Sequence, residues 1–210
     1  MALINHIEHP DYSILLWHIT EDEKALLEGM QFSALEAEEL AQIKANKARL
    51  SWIACRKMIK EILHTDNVFL VKDTFGKPFI EGSNKHISIS HSHEYAAVMI
   101  SPFSCGIDVH KLETRIEQIA PKFINTEEWL TISNPNEKLN KIHLFWSAKE
   151  SLYKYYGRKQ LDFKAHMQIA PFDLQNSGML HASIQKDDYL KNLNVFYQFE
   201  ENYVFTYTFG

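Results

Sequence analysis

Residues 144–157 read LFWSAKESLYKYYG, a stretch without proline whose apolar positions repeat with a helical period. Wound at about 100 degrees per residue, Phe145, Ala148, Leu152 and Tyr156 share one face, while Trp146, Glu150 and Lys154 form a separate stripe. Alone, Glu150 and Lys154 have the spacing of a plain surface pair worth about 0.2–0.5 kcal/mol. A second acid enlarges the chemistry that the stripe could perform. In CGIDVHKL, alternation sends Ile107 and Val109 to one side of a strand and Asp108 and His110 to the other. A strand aspartate facing a helix glutamate is the smallest set of hard oxygen donors for Mg2+, whose other positions go to water and phosphate oxygens. Lys77, in GKP at 76–78, and Ser90 and His91, in ISISHS at 87–92, stand at polar corners and suit phosphate oxygens.

The elements that must hold these groups can be read along the chain. Thr20 with Glu23, and Ser33 with Glu36, have the capping-box spacing. The second opens a helix predicted to run from about 34 to 63, with no glycine or proline inside. Arg49, Arg56 and Lys60 fall on one stripe of it, as a solvated basic face would. VFLVKDTFGKPFI reads as strand, turn and strand; HISISHS and YAAVMIS read as neighbouring strands. Pro102, between Ser101 and Phe103, marks an internal boundary, giving halves at 1–102 and 103–210. RIEQIAPKF and NTEEWLTI read as short helices, and two aromatic-rich strands flank a turn at Glu201-Asn202. Helix and strands in each half make the fold class α+β.

Composition narrows the function. A net charge of −5 argues against a nucleic-acid partner and requires any polyanion site to be locally basic or metal-bearing. No apolar run approaches the roughly 20 residues of a membrane span, and the N-terminus lacks a basic leader region. Two well-separated cysteines, Cys55 and Cys105, make neither a disulfide framework nor a zinc site. The expectation is a cytoplasmic protein with no membrane partner. His93, His143 and His166 read as surface or strand histidines, Cys105 as a small core residue and Trp146 as a packing anchor.

The ordered set GKP, ISISHS, GIDV and FWSAKESLYKYYG resembles the 4'-phosphopantetheinyl transferase superfamily, in its longer, two-half type. IAPKFINTEEW at 119–129 and RKQLDF at 158–163 are similar to further family segments. The resemblance implies two similar α+β subdomains related by a pseudo-twofold, with coenzyme A in the cleft between them. It also implies Mg2+-dependent transfer of the phosphopantetheine arm to a serine of an apo acyl or peptidyl carrier protein, by a monomer. Carried onto this sequence, Asp108 and Glu150 hold the metal, and Glu150 serves as base. Lys154 neutralises the departing phosphate, and Lys149 positions the helix or the ligand. Lys77, Ser90 and His91 contact the nucleotide, and Arg49 and Arg56 face its 3'-phosphate. A rim near Lys122 and Lys141 meets the carrier.

One position departs from the pattern. Many relatives carry a second acid two residues after the aspartate, where this chain has His110. Imidazole suits transition metals better than Mg2+, so His110 is a doubtful ligand, and a tilt toward Mn2+ follows. The alternative is a non-catalytic coenzyme A or carrier-binding module with a degenerate metal site.

Overall fold

The computed structural model describes residues 3–210. The chain divides into two compact units, Met1–Phe103 and Ser104–Gly210.

In the first unit, hairpin β1 (Leu3–His9) and β2 (Tyr12–His18) precedes three helices, α1 (Glu23–Leu27), α2 (Ala34–Gln42) and α3 (Asn46–Leu63). A ribbon of β3 (Leu70–Lys72) and β4 (Pro78–Ile80) follows, then the hairpin β5 (His86–Ser92) and β6 (Tyr95–Ser101). The main sheet is antiparallel in the order β1-β2-β6-β5. Ile53, Ala54, Met58 and Ile59 of α3 pack on Leu15, Trp17, Ala96 and Val98 to make the core.

Two helix expectations need correction. The N-cap of α1 is Asp22, not Thr20; its carboxylate accepts the Ala25 amide at 2.8 Å. The single helix over 34–63 is two helices. It breaks because Arg49 Nη1 takes the carbonyls of Leu40 at 2.5 Å and Ile43 at 3.1 Å, giving the end of α2 the partners that a continued helix would have supplied. The basic stripe is not a wet face either: Arg56 and Lys60 are both buried, and Lys60 donates to the Gln31 carbonyl.

The second unit opens with β7 (Cys105–Lys111), continues through two 3-10 turns (Thr114–Gln118 and Ala120–Lys122) and α4 (Thr126–Leu130), and reaches the long helix α5 (Lys138–Tyr156). Asn125 and Glu128 close a capping box on α4, and Gly157, at φ 67°, terminates α5 in a left-handed turn. Strands β8 (Met167–Ile169), β9 (Ser177–Lys186), β10 (Tyr189–Phe199) and β11 (Tyr203–Phe209) complete an antiparallel sheet in the order β7-β11-β10-β9-β8. Helix α5 lies on β7 and β11. Its face of Phe145, Ala148 and Leu152 joins Leu180, Ile184, Val195 and Val204 in the core.

Candidate functional site

The site begins with a missing side chain. A Cβ on Gly106 would stand 2.0 Å from the Ser151 carbonyl oxygen and 2.7 Å from the Tyr155 nitrogen, so only glycine lets α5 settle this close to β7. Residues two apart on a strand share a face. Asp108 therefore points at the same helix, one turn further along it.

There Asp108 is 5% exposed and gripped on both oxygens. Lys154 Nζ donates to Oδ1 at 2.9 Å and to the Ile107 carbonyl at 2.9 Å, and Ser147 Oγ donates to Oδ2 at 2.9 Å. Glu150, on the helical stripe between these two donors, is half-buried. Burial, and after it the charge of Asp108, raise the Glu150 carboxyl to about 7 against the opposing pull of Lys154. Asp108, Glu150 and Lys154 thus act on one another electrostatically, as a site for a charged ligand requires. Trp146 packs between Phe123, at 5.0 Å between ring centroids, and Phe163, at 5.6 Å, and walls the stripe on one side.

Buried hydroxyls beneath this cluster went unnoticed in the sequence. Thr206 is the cross-strand partner of Asp108 and, with Ser147 and Ser151, is fully buried. A serine at i and i+4 of a helix is unremarkable in composition, and only the sheet register reveals what the pair meets.

Lys149 requires a correction. It is fully buried, and its ammonium is taken up by Glu128 Oε2 at 2.7 Å and by the carbonyls of Phe123 at 2.8 Å and Phe163 at 2.9 Å. Burial lowers its pKa, while the Glu128 carboxylate opposes that shift. Glu128 also accepts the amides of Asn125 and Ile169. Lys149 positions α5 against its neighbours and cannot touch a ligand. Lys141 is corrected on the same ground: it is buried, with its ammonium on the Thr131 carbonyl at 2.9 Å, so it offers no rim to a partner.

His110 lies on the Asp108 face of β7 with its ring 5.0 Å from His143 and 6.2 Å from Trp146. His143 is a fully buried helix residue, contrary to the surface or strand position expected for it. Desolvation, with His110 adding to it, lowers its pKa to about 4. This neutral ring accepts the Glu113 amide at Nε2, at 3.0 Å.

The remaining predicted residues belong to the first unit. Arg49 is engaged within its unit: Nε and Nη2 hold Glu23 at 2.9 and 2.5 Å while Nη1 caps α2, leaving one Nη2 hydrogen outside these bonds. Arg56 is buried over the Trp52 ring at 4.2 Å, 3.3 Å from Glu39 and 3.7 Å from Glu36. Lys77 follows Gly76 in the β3–β4 turn; desolvation, and after it the Lys77 charge, lower the pKa of His86. Ser90 is buried and His91 exposed on β5, since consecutive strand residues face opposite ways.

Among the described residues no three or more His, Cys, Asp or Glu gather into a metal cluster. The donor set is a pair of carboxylates, Asp108 and Glu150; burial does most to raise Glu150, and the repulsion of Asp108 adds to it. A hard cation relieves such repulsion, and carboxylate oxygens are its preferred ligands, so the residues present fit Mg2+.

Comparison with known proteins places this geometry in context. The profile of the 4'-phosphopantetheinyl transferase superfamily matches residues 104–208, the unit that holds the acids. A 4'-phosphopantetheinyl transferase of Bacillus subtilis is 30% identical over 87 residues, covering 40% of this chain and 39% of that protein. Two more from that organism, the transferases ffp and Sfp (the latter from strain 168), are 27% and 26% identical over 119 residues, each covering 54% of this chain and 53% of the relative. The matched region thus spans about half, or less, of each relative's length.

Proposed function

The chain belongs to the 4'-phosphopantetheinyl transferase superfamily, and from that premise we propose that it moves the 4'-phosphopantetheine arm of coenzyme A onto a serine of an apo acyl or peptidyl carrier protein. The serine oxygen forms a bond to the phosphorus carrying the pantetheine, the bond to the second phosphate breaks, and adenosine 3',5'-bisphosphate leaves with the electron pair. The observation that carries the reading is the meeting of Asp108, Glu150 and Lys154 on one side of α5.

Each residue has a task suited to its surroundings. Glu150, with a carboxyl raised to about 7, is poised to take the serine proton as the new bond forms. Lys154 supplies a fixed positive charge beside the acids for the departing phosphate oxygens. Asp108, held on both oxygens, needs no reorganisation to act. Mg2+ bound by Asp108 and Glu150 would neutralise charge developing on the diphosphate. His110 lies two residues beyond Asp108, and its imidazole favours Mn2+ over Mg2+ at the edge of such a site. Lys77, Ser90, His91, Arg49 and Arg56 stay assigned to the nucleotide end of coenzyme A; Lys149 does not, because its three donors are used inside the fold. The pseudo-twofold pair of halves with a ligand cleft, a monomeric state and a cytoplasmic setting belong to the same proposal. No helix among the described residues is long and apolar enough to cross a membrane.

The test is intact-mass analysis of apo carrier proteins incubated with the protein, coenzyme A and Mg2+. The expected result is a carrier heavier by one phosphopantetheine arm, abolished by Glu150→Ala. One observation favours a second reading: a donor set of only two acids with His110 in the adjoining place. A non-catalytic binding module would bind coenzyme A equally well after Glu150→Ala and leave every carrier unmodified.

A further inference from the structure

The hydroxyls under Asp108 form one connected cluster. An ionised carboxylate accepts and cannot donate, so the single proton of Ser147 Oγ goes to Asp108 Oδ2 at 2.9 Å. Ser147 Oγ can then only accept. Thr206 Oγ1 lies 2.8 Å from the Ser147 carbonyl and 3.1 Å from its hydroxyl, so the Thr206 proton is directed at Ser147. Ser151 Oγ lies 3.0 Å from the Thr206 carbonyl and 2.5 Å from its hydroxyl, so its proton is directed at Thr206. The single Thr206 proton goes to the Ser147 carbonyl, the shorter contact, and its oxygen lies beside Ser147 Oγ, whose own proton holds Asp108. All three residues are fully buried, so water does not replace a missing member. Thr206, itself held by Ser151, thereby fixes both the backbone and the hydroxyl of Ser147, and the Ser147 proton selects which carboxylate oxygen it holds.

We infer that Thr206 and Ser151 are positioning residues for Asp108: acting through Ser147, they turn Oδ2 into the fold and present Oδ1 to Lys154 and the ligand side. Neither hydroxyl contacts an Asp108 oxygen directly, and Thr206 lies on β11, outside the helix and strand that carry the acids. The register of the sheet, which pairs Thr206 with Asp108, delivers it there. The inference rests on the transfer reading for what Asp108 does, though not for how Asp108 is held.

Thr206→Val keeps the shape and removes the hydroxyl, and Thr206→Ser restores it. Crystal structures of both variants, with Mn2+ binding followed by electron paramagnetic resonance, decide the matter. In Thr206→Val the contact between Ser147 Oγ and Asp108 Oδ2 is expected to be lost or divided between two conformers, and Mn2+ affinity to fall about tenfold. Thr206→Ser returns both to the wild-type values. Should Thr206→Val fail to fold, Ser151→Ala, which removes the first donor only, serves with the same two readouts. A variant that melts earlier but keeps the contact, with Mn2+ affinity within about twofold of wild type, overturns the inference and leaves these residues as packing alone. The crystallographic outcome stands even if the wild type binds no Mn2+ or modifies no carrier, so failure of the transfer reading is recognised separately.

Discussion

Lys154 Nζ joins Asp108 Oδ1 and the Ile107 carbonyl, each at 2.9 Å, so one ammonium ties helix α5 to strand β7 across 46 residues of chain. It is also the positive charge that restrains the Glu150 carboxyl. Lys154→Met removes both effects while keeping the length of the stem. Carrier modification is expected to fall about 100-fold or more, as when one fixed donor is taken from a developing oxyanion. Titration of Glu150 by NMR should move above its position in the unaltered protein. A variant with undiminished transfer would remove Lys154 from the mechanism.

The raised Glu150 makes stability depend on pH in a direction opposite to that of an ordinary ion-paired acid. Its folded carboxyl, at about 7, lies above the unfolded value of 4.5. Between those values the folded state binds the extra proton. Its contribution is therefore fully present below 4.5 and lost as pH rises through 7. With a chelator present, Glu150→Gln should match the wild type near pH 4.5 and exceed it at pH 8, by on the order of 2 kcal/mol in urea unfolding. Equal stability at both pH values would mean that the carboxyl is not raised.

Gly106→Ala tests the close approach of helix and strand. The added carbon has backbone, not a flexible side-chain end, at 2.0 Å, so α5 or β7 must shift. A loss of about 1–3 kcal/mol is expected from such overpacking. The displaced helix carries Lys154 away from Asp108, so transfer should fall further than stability. Unchanged melting and activity would mean that the helix has slack.

The buried Lys149–Glu128 pair predicts an asymmetry between single and double substitutions. Lys149→Met leaves Glu128 charged and fully buried, for a loss of about 3–5 kcal/mol. Adding Glu128→Gln should recover part of it, because the uncompensated buried charge is gone, although one of the Asn125 and Ile169 amides loses its acceptor. Chemical denaturation of the three variants measures the coupling. Additive losses would show that the two residues stabilise the fold independently.

His110→Glu places a third oxygen donor beside Asp108. Half-saturating Mg2+ in the transfer assay should fall, and the relative benefit of Mn2+ should shrink. An unchanged or higher Mg2+ requirement would detach His110 from the metal environment.

The acids, Lys154 and the strand alternation at 107–110 were legible because period and residue type are local properties. The same logic failed wherever a long-range partner decided the outcome. A helix signal uninterrupted by glycine or proline hid the break near Ile43, because the cap comes from Arg49, a later residue reaching back. Lys149 read as positioning either the helix or the ligand, and nothing local chose between them, because Glu128, which claims it, lies 21 residues away. His143 was misplaced because a histidine in a helix gives no local sign of being buried. Thr206 carried no signal, since its role arises from a register set by pairing with β7. Hairpin β1–β2 and strand β9, with their mixed polar and apolar residues, also lacked a clear period.

In the order β7-β11-β10-β9-β8, β7 pairs with β11, which is translated last among the five. As the ribosome proceeds, the segment bearing Asp108 waits through roughly a hundred codons for that pairing, a delay typical of nonlocal β contacts. A premature stop just before Tyr203 would preserve every motif residue through Lys154 and still remove the strand that pairs residue for residue with the aspartate strand.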